Sequence, residues 1–518
     1  MTGAAGVLGV TQSAISRVIA TLEREQGVSF FDRDFRPVCP NAAGRILFEQ
    51  AGALLEHAQA VAFNVRAAAK TGVASLRIGC VASYPKTRTV RCASAKNRIR
   101  LYFRSLVFAA SHFAHTLLKR KLDVNTYDVV VIGAGVIGSS VAFQLAKLGA
   151  KNVLVLDRGT IGAGTTSQSS GILRTHYSVK ENVELARKSW DVFNNFASYL
   201  GDDEASCGLV KCGYMIVAAE GDKLEPLRAS LNQQKEQGIP LELLDAKQAS
   251  ELLPIAQFGD AALIGYEPEA GFADAYLVAT GFARAARRGG VTIRENASVN
   301  KILIENGKVV GVSTSIGDFS TSMVISTQNI WTPELAGWTG RSLPVMPERH
   351  AVLALECEAA KYTFSMPVFK DLASPGMLYY RSYGGNQMLV SEGVVGEKLN
   401  TTEVEQGDIP MDYVIEVGAQ VAERFPEYET AGIASSWTGV YDVTPDWNPV
   451  LGKLPGIEGL VVGYGFSGHG FKLSPTVGRV LAQEALGLPT DVSLKPYSIE
   501  RFTTGELLIG KYGLGAVS

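Results

Sequence analysis

The sequence predicts an α/β fold: a parallel βαβ unit followed by alternating strands and helices, with an N-terminal segment of different composition in front. Three observations predict it. Residues 127–159 read strand, glycine turn, helix, strand. Residues 209–360 alternate β-forming and helical stretches, and a second strand, glycine-rich turn and helix occupy residues 460–486. In the first stretch, the apolar run 129–132 leads into Gly133-x-Gly135-x-x-Gly138. A helical pattern with Ala142, Leu145 and Leu148 inward follows, then a strand over 153–156 that ends on Asp157. The three glycines serve different ends. Gly133 makes the tight turn, Gly135 lets the backbone approach a pyrophosphate closely, and Gly138 lets helix pack on strand. The amides and partial positive charge of the helix start suit phosphates. Asp157 is placed to accept ribose hydroxyls, and no Arg replaces it as a 2′-phosphate would require.

A chain of 518 residues, 46% hydrophobic and 19% charged, can bury several cores and should hold two or three domains. The net charge of −2 conceals an asymmetry. Residues 1–122 carry 18 Lys+Arg against 6 Asp+Glu, and the remainder 31 against 45, so a basic head precedes an acidic body. Cys39, Cys80, Cys92, Cys207, Cys212 and Cys357 lack the spacing of a metal site. Neither disulfides nor zinc are expected, which suits a reducing compartment. The N-terminus has no signal-like apolar core, and the run 101–118 is broken by Arg104, His112 and His115. A cytoplasmic protein without a transmembrane segment is therefore expected.

In the head, Thr11 caps a helix with Ile15, Val18, Ile19 and Leu22 inward and Gln12, Ser13, Ser16 and Arg17 outward. Such a polar face suits a major groove. With LEREQGVSFFDRDFRPVCPNAAGRILFEQA the segment resembles the winged helix-turn-helix of LysR-type regulators, and Leu76 to Gly79 resemble the first strand of that family's effector domain. The family's first helix is missing, and the effector domain stops after one strand. Residues 57–122 then hold 13 Lys+Arg and no acid, and 81–121 show no sustained period of 2 or 3.6. A partial winged helix and linker helix is thus expected over 1–70 and a poorly ordered basic linker over 71–122, with vestigial DNA binding.

In the body, residues 162–177, GAGTTSQSSGILRTHY, are too rich in glycine and hydroxyl groups for a buried strand and suit a loop folded against a planar polar ligand. A helix over 182–200 follows. Strands are expected at 213–218, 291–295, 299–305, 309–313, 323–326, 351–356, 377–381, 388–391 and 460–463. Helices are expected at 222–237, 276–288 and 475–486, a turn-rich loop over 265–274 and a hairpin at Gly307.

SSGILRTHYS, YEPEAGFADAYLVATGFARAA, YDVTPDWNPVLG and GFSGHGFKLSPTVG, spread over residues 126–502, resemble the D-amino-acid oxidase superfamily of flavoproteins, nearest its sarcosine oxidase β-subunit, dimethylglycine dehydrogenase and glycine oxidase branch. The resemblance implies a FAD-binding Rossmann-like domain with an α+β substrate domain whose antiparallel sheet covers the flavin. FAD-binding parts would be 123–210, 280–345 and 435–490, substrate-binding parts 211–279 and 346–434, and 503–518 a tail. It implies FAD held by Gly133, Ala134, Gly135, Ile137, Gly138, Asp157 and Arg158, and by Gly164, Thr165, Thr166, Ser167, Ser170, Gly171 and Ile172 of the hydroxyl-rich loop. Val299 and Trp331 would join them, with Gly465, Phe466, Ser467, Gly468, Gly470, Phe471 and Lys472 of the C-terminal turn. Arg174 and Lys472 match the two basic residues that clamp a substrate carboxylate, and His469 shares their turn, as a packing residue or a flavin contact.

The implied activity is oxidation of the C–N bond of a small amino acid or N-methyl amino acid by hydride transfer to flavin N5, followed by imine hydrolysis. O2, a quinone or an electron-transfer protein would accept the electrons, and further subunits would be partners. Three departures qualify it. Gly439 replaces the cysteine that attaches flavin covalently, so FAD is expected to be non-covalent. Met388 falls near the place of an oxygen-activating lysine, and Asn329 stands where the family has glycine. A flavin-containing DNA-binding regulator using the head is the alternative.

Overall fold

The computed structural model describes residues 31–32, 39–40, 126–357, 366–384, 387–394, 396–399 and 409–512. The chain divides into two units, Met1–Phe103 and Arg104–Ser518. In the first, Phe31–Asp32 and Cys39–Pro40 pair antiparallel, Phe31 opposite Pro40, where the sequence places the wing. The helix capped by Thr11, the linker helix, the strand at Leu76 and the basic stretch 71–122 lie outside the described residues.

Among its described residues the second unit holds a six-stranded sheet in the order Thr292–Arg294, Val153–Leu156, Val129–Ile132, Val324–Ser326, Leu460–Tyr464, Val450–Lys453. All neighbours are parallel except the last pair. Val129–Ile132 and Val153–Leu156 are buried along their whole length, as parallel strands covered on both faces must be. The helices Val136–Lys147, Ala275–Arg288 and Gly470–Ala485 pack together on one face over the largest core cluster. Gly478 makes the last of these contacts close: a Cβ there would lie 2.2 Å from Ser140 Oγ.

A second sheet of nine strands, among the described residues, runs Glu397–Lys398, Met346–Glu356, Gln387–Ser391, Tyr379–Tyr383, Val368–Asp371, Tyr214–Ala219, Ala261–Glu267, Glu242–Leu244, with Gly432–Val443 also paired to Met346–Glu356. It is antiparallel except that Val368–Asp371 runs parallel to Tyr214–Ala219. Two separate chain segments meet at that seam, so the sheet is mixed where an antiparallel one was expected.

Several boundaries differ from the sequence reading for identifiable reasons. Residues 265–274 are not one loop, because Ala261–Glu267 is a strand and Gly271–Phe272 a second. Gly265 interrupts the pattern because helix Leu224–Glu236 lies on it: a Cβ there would meet Leu231 Cδ2 at 2.7 Å. The helix expected over 182–200 is two, Lys180–Asn194 and Phe196–Leu200, broken at Asn195. The C-terminal helix begins at Gly470, with Pro475 inside its second turn. Lying beyond the first turn, Pro475 cannot donate to the Phe471 carbonyl, so the helix forgoes one hydrogen bond there. The strands Val368–Asp371 and Gly432–Val443 and the helix Met411–Arg424 were not anticipated. Part of the expected tail is tied down: Asp446 binds Arg501 at 2.7 and 2.9 Å and accepts the Leu508 amide at 3.1 Å, all buried.

The βαβ turn shows why glycine recurs. Gly133 has φ +100°, and a Cβ at Gly138 would lie 1.8 Å from the Gly133 carbonyl oxygen, which is backbone and cannot yield. Gly138→Ala should therefore destabilise the second unit by about 3 kcal/mol, read as a lower thermal midpoint. Wild-type stability in this variant would refute the close contact.

Candidate active site

A cleft of about 390 Å³ opens at the carboxyl ends of the parallel strands, lined by Gly133, Gly135, Ile137 and Gly138 from the first turn and helix, Asp157 and Arg158 at the end of the second strand, Gly164 to Thr166 and Gln168 to Ser170 of the hydroxyl-rich loop, and Val299, Thr327 and Trp331. Asp157 accepts the amides of Ala134 at 2.5 Å and Gly159 at 2.7 Å, which fixes its carboxylate at the cleft wall. Arg158 lies 4.7 Å from the Trp331 ring and is paired at 2.8 Å with Glu334. Gly135 leaves the helix start open, since a Cβ there would approach Thr166 Oγ1 at 3.1 Å, and that hydroxyl accepts the Val136 amide at 3.0 Å. These donors, one acid and a helix N-terminus fit a dinucleotide.

At its other end the cleft adjoins Gly439, Tyr441, Asp442, Phe466, Gly468, Gly470 and Phe471. The loop reaches this wall through Gln168, whose Oε1 accepts the Val440 amide at 3.1 Å and whose carbonyl accepts Trp437 Nε1 at 3.3 Å. Asn329 has φ +52° and its Oδ1 accepts the Thr165 hydroxyl at 3.2 Å. The position requires left-handed backbone, which asparagine tolerates better than most residues. The departure from glycine is thereby accommodated.

Continuous with this end is a chamber of about 90 Å³ that brings together Arg174, Lys472, His469, Ile172, Ser170 and Ser467 with Tyr214, His350, Lys370, Tyr379, Glu392, Tyr441 and Trp447. Arg174 and Lys472, far apart in sequence, thus share one small space, and both are buried. The Arg174 guanidinium lies 4.7 Å from the Tyr177 ring and 5.5 Å from Tyr214. Burial, then Arg174, drives the Lys472 ammonium well below its usual range. His469 stands at the start of helix Gly470–Ala485, edge-on to Tyr177 at 5.5 Å. Burial, then Lys472 and Arg174, hold it well below the ordinary histidine range, so it is neutral. Glu267, wholly buried behind this wall, accepts Thr175 N at 2.8 Å, Thr175 Oγ1 at 2.5 Å and His176 N at 3.2 Å. Burial still pushes it up to about 6.

Four residues expected at the cofactor line neither cavity. Ala134 is wholly buried, its amide given to Asp157. Ser167 faces outward, its hydroxyl donating to the Gly164 carbonyl at 2.9 Å. Gly171 and Gly465 are needed for close packing, because a Cβ would fall 2.1 Å from the Ala273 oxygen and 2.1 Å from Thr444 Cγ2 respectively. Lys370, His350, Tyr379 and Asp442 were missed. Of these only Lys370 left a trace, as half of a Lys-Asp pair inside the otherwise apolar run Met366 to Leu372.

Two helix starts converging on one cleft, with a carboxylate at the end of the second strand, define a dinucleotide-dependent enzyme. The chain belongs to the family of FAD-dependent oxidoreductases: residues 128–484 match that family's model. Residues 1–45 match the model of the bacterial regulatory helix-turn-helix protein, lysR family. Among curated relatives, sarcosine oxidase subunit beta of Arthrobacter sp. is 30% identical over 401 residues, 76% of this chain and 95% of that protein. Among solved structures, glycine oxidase from Geobacillus kaustophilus is 26% identical with a TM-score of 0.64, covering 73% of this chain and 99% of that one. L-proline dehydrogenase from P. horikoshii, 24% identical with a TM-score of 0.68, covers 74% and 99% and shares the fold. Among the described residues no helix is long and apolar enough to cross a membrane.

Asp442 gives this wall a measurable signature. Its carboxylate accepts the Gly465 amide at 2.5 Å, and burial pushes it from 3.8 up to about 7. A carboxyl raised in the folded state stabilises most below its unfolded value, and that contribution disappears as pH rises toward the folded value. In thermal unfolding of the flavin-free protein, the stability of the parent relative to Asp442→Asn should therefore fall between about pH 4 and pH 7 and then level off. A difference independent of pH would refute the assignment.

Proposed function

We propose that this chain oxidises the C–N bond of a small primary or N-methyl amino acid whose carboxylate lies against Arg174 and Lys472, with FAD held non-covalently in the adjoining cleft. The observation that carries this reading is that those two cations line one small chamber continuous with the cleft. The names of two relatives, sarcosine oxidase subunit beta and glycine oxidase, refer to amino acids of this size. Gly439 lines the cleft where a cysteine would make a covalent link, and the described cysteines Cys207, Cys212 and Cys357 line neither cavity.

Bound FAD supplies the hydride acceptor. The protein's part is binding, orientation and charge. Arg174 offers a planar fork and Lys472 a point charge, which together fix both the position and the rotation of a carboxylate. Fixing that group sets where the substrate carbon stands above the ring. The first turn of helix Gly470–Ala485 directs its positive end at the junction of cleft and chamber, where negative charge on the cofactor would be stabilised. His469, neutral and packed on Tyr177, fills the wall without adding a third charge at that point. Electrons then pass to O2 or to an electron-accepting partner, and the β-subunit relative brings additional subunits within the proposal.

A second role rests on the head alone. Residues 1–45 match a DNA-binding family and the first 122 residues carry a strong positive excess, so binding to duplex DNA that weakens steeply with salt would reveal a regulator. Salt-insensitive or absent binding would leave the flavoprotein reading alone.

Anaerobic addition of a small amino acid should bleach the flavin bands, and recovery in air distinguishes an oxidase from a dehydrogenase. Arg174→Met should retain flavin but raise the KM for that amino acid about 100-fold, the loss of a charge-assisted pair of hydrogen bonds worth roughly 3 kcal/mol. An unchanged KM would remove Arg174 from the binding role.

A further inference from the structure

The chamber holds more positive charge than one carboxylate needs. Besides Arg174 and Lys472 it is lined by Lys370, on the strand Val368–Asp371. The alternation of that strand sends Phe369 into the core with Tyr380 and Phe425, and Lys370 to the opposite face and the chamber. Lys370 is only 2% exposed. Its Nζ donates to the Met377 carbonyl at 2.5 Å, from a residue held at φ +45°, so the ammonium is anchored by a backbone turn that is itself strained. Asp371, its chain neighbour, is occupied elsewhere, pairing with Arg424 at 2.8 Å while Arg424 also holds Asp260 at 2.7 Å. Neither Lys370 nor Lys472 belongs to an ion pair among the described residues. The one acid among the chamber's described lining residues is Glu392, half-buried, with its carboxyl raised by burial and by Glu416.

We propose that the substrate is an amine carrying two carboxylates, one held by Arg174 and Lys472 and the second by Lys370. This rests on the oxidation reading above and names its substrate class. Cations removed from water need anionic partners, and neither Lys370 nor Lys472 has a carboxylate within ion-pair distance among the described residues. Burial, then Arg174, lowers Lys370 to about 7 against the opposing pull of Asp371, whose carboxylate is shared with Arg424 and offsets only part of that cost. A second carboxylate supplies that counter-charge.

The test uses the flavin-loaded full chain and two pairs of inert ligands without a C–N bond, malonate with acetate and thiodiacetate with methylthioacetate, with binding read from perturbation of the flavin absorbance. The parent should bind each dicarboxylate about 10-fold or more tighter than its monocarboxylate partner. Lys370→Met should lower that preference by about 10- to 100-fold, the range expected for one charge-assisted contact. Lys370→Arg should restore part of it. Anaerobic bleaching by iminodiacetate or N-methylaspartate should outpace bleaching by sarcosine or glycine. A parent that prefers the monocarboxylates overturns the proposal even if the variants fail to fold, and so does a Lys370→Met protein with unaltered preference. If no amine bleaches the flavin while the dicarboxylate preference stands, the oxidation reading fails and the binding assignment survives, so the two failures are distinguishable.

Discussion

Everything in the catalytic unit depends on two helix N-termini being brought to the same cleft, and that requires two helices to lie closer than side chains normally allow. Val136–Lys147 and Gly470–Ala485 pack side by side, and they can do so because Gly478 presents no Cβ to Ser140. The Ser189 hydroxyl holds the second helix from another side, bonding Thr476 Oγ1 at 2.8 Å and the Leu473 carbonyl at 3.2 Å. With both starts fixed, one helix faces the phosphate-binding turn and the other the junction with the chamber. The partial positive charges then face opposite ends of one elongated cleft.

The second sheet depends on that placement. Its longest strand, Gly432–Val443, ends beside Gly465 and Ser467, and Gln168 joins the same strand to the hydroxyl-rich loop. Arg381, on Tyr379–Tyr383, donates to the Ser170 carbonyl at 2.5 Å from the same side. The loop is therefore clamped between two domains' worth of structure. This explains why so many glycines and hydroxyl residues lie in a segment with little regular structure: they bring backbone within reach of backbone.

The legible parts of the sequence were those whose local pattern and tertiary role coincide. Val129–Ile132 and Val153–Leu156 are apolar because both faces are covered, and the glycine spacing follows from contacts within one turn. The family resemblance placed Arg174 and Lys472 together, which no local pattern could have done. Other parts were hidden for physical reasons. The first half of Gly432–Val443 is exposed and serine-rich, so it reads as loop, and pairing with Met346–Glu356 alone makes it a strand. Lys370 sits in a four-residue strand whose burial comes from the parallel seam with Tyr214–Ala219, a long-range contact without a sequence signature. Gly171 and Gly465 were legible as necessary but not for what, since their glycines serve packing beside the cavities rather than the cavity walls.

The start of the C-terminal helix shows how such a shift changes the chemistry. A helix beginning at Pro475 would leave Lys472 in a loop, free of any field along the helix axis. Beginning at Gly470, it places Lys472 in the first turn, where the aligned peptide dipoles oppose a cation. Burial and Arg174 oppose it further. Three unfavourable terms at one lysine are not what stability selects, since an apolar side chain of similar length would pack the same space without them. They become favourable together once an anion enters: the dipole, the guanidinium and the ammonium all then act on the same charge. The left-handed backbone at Met377, whose carbonyl accepts the Lys370 ammonium at the chamber wall, is a further local cost. An anionic ligand, as proposed above, would turn each of these costs into a binding contribution.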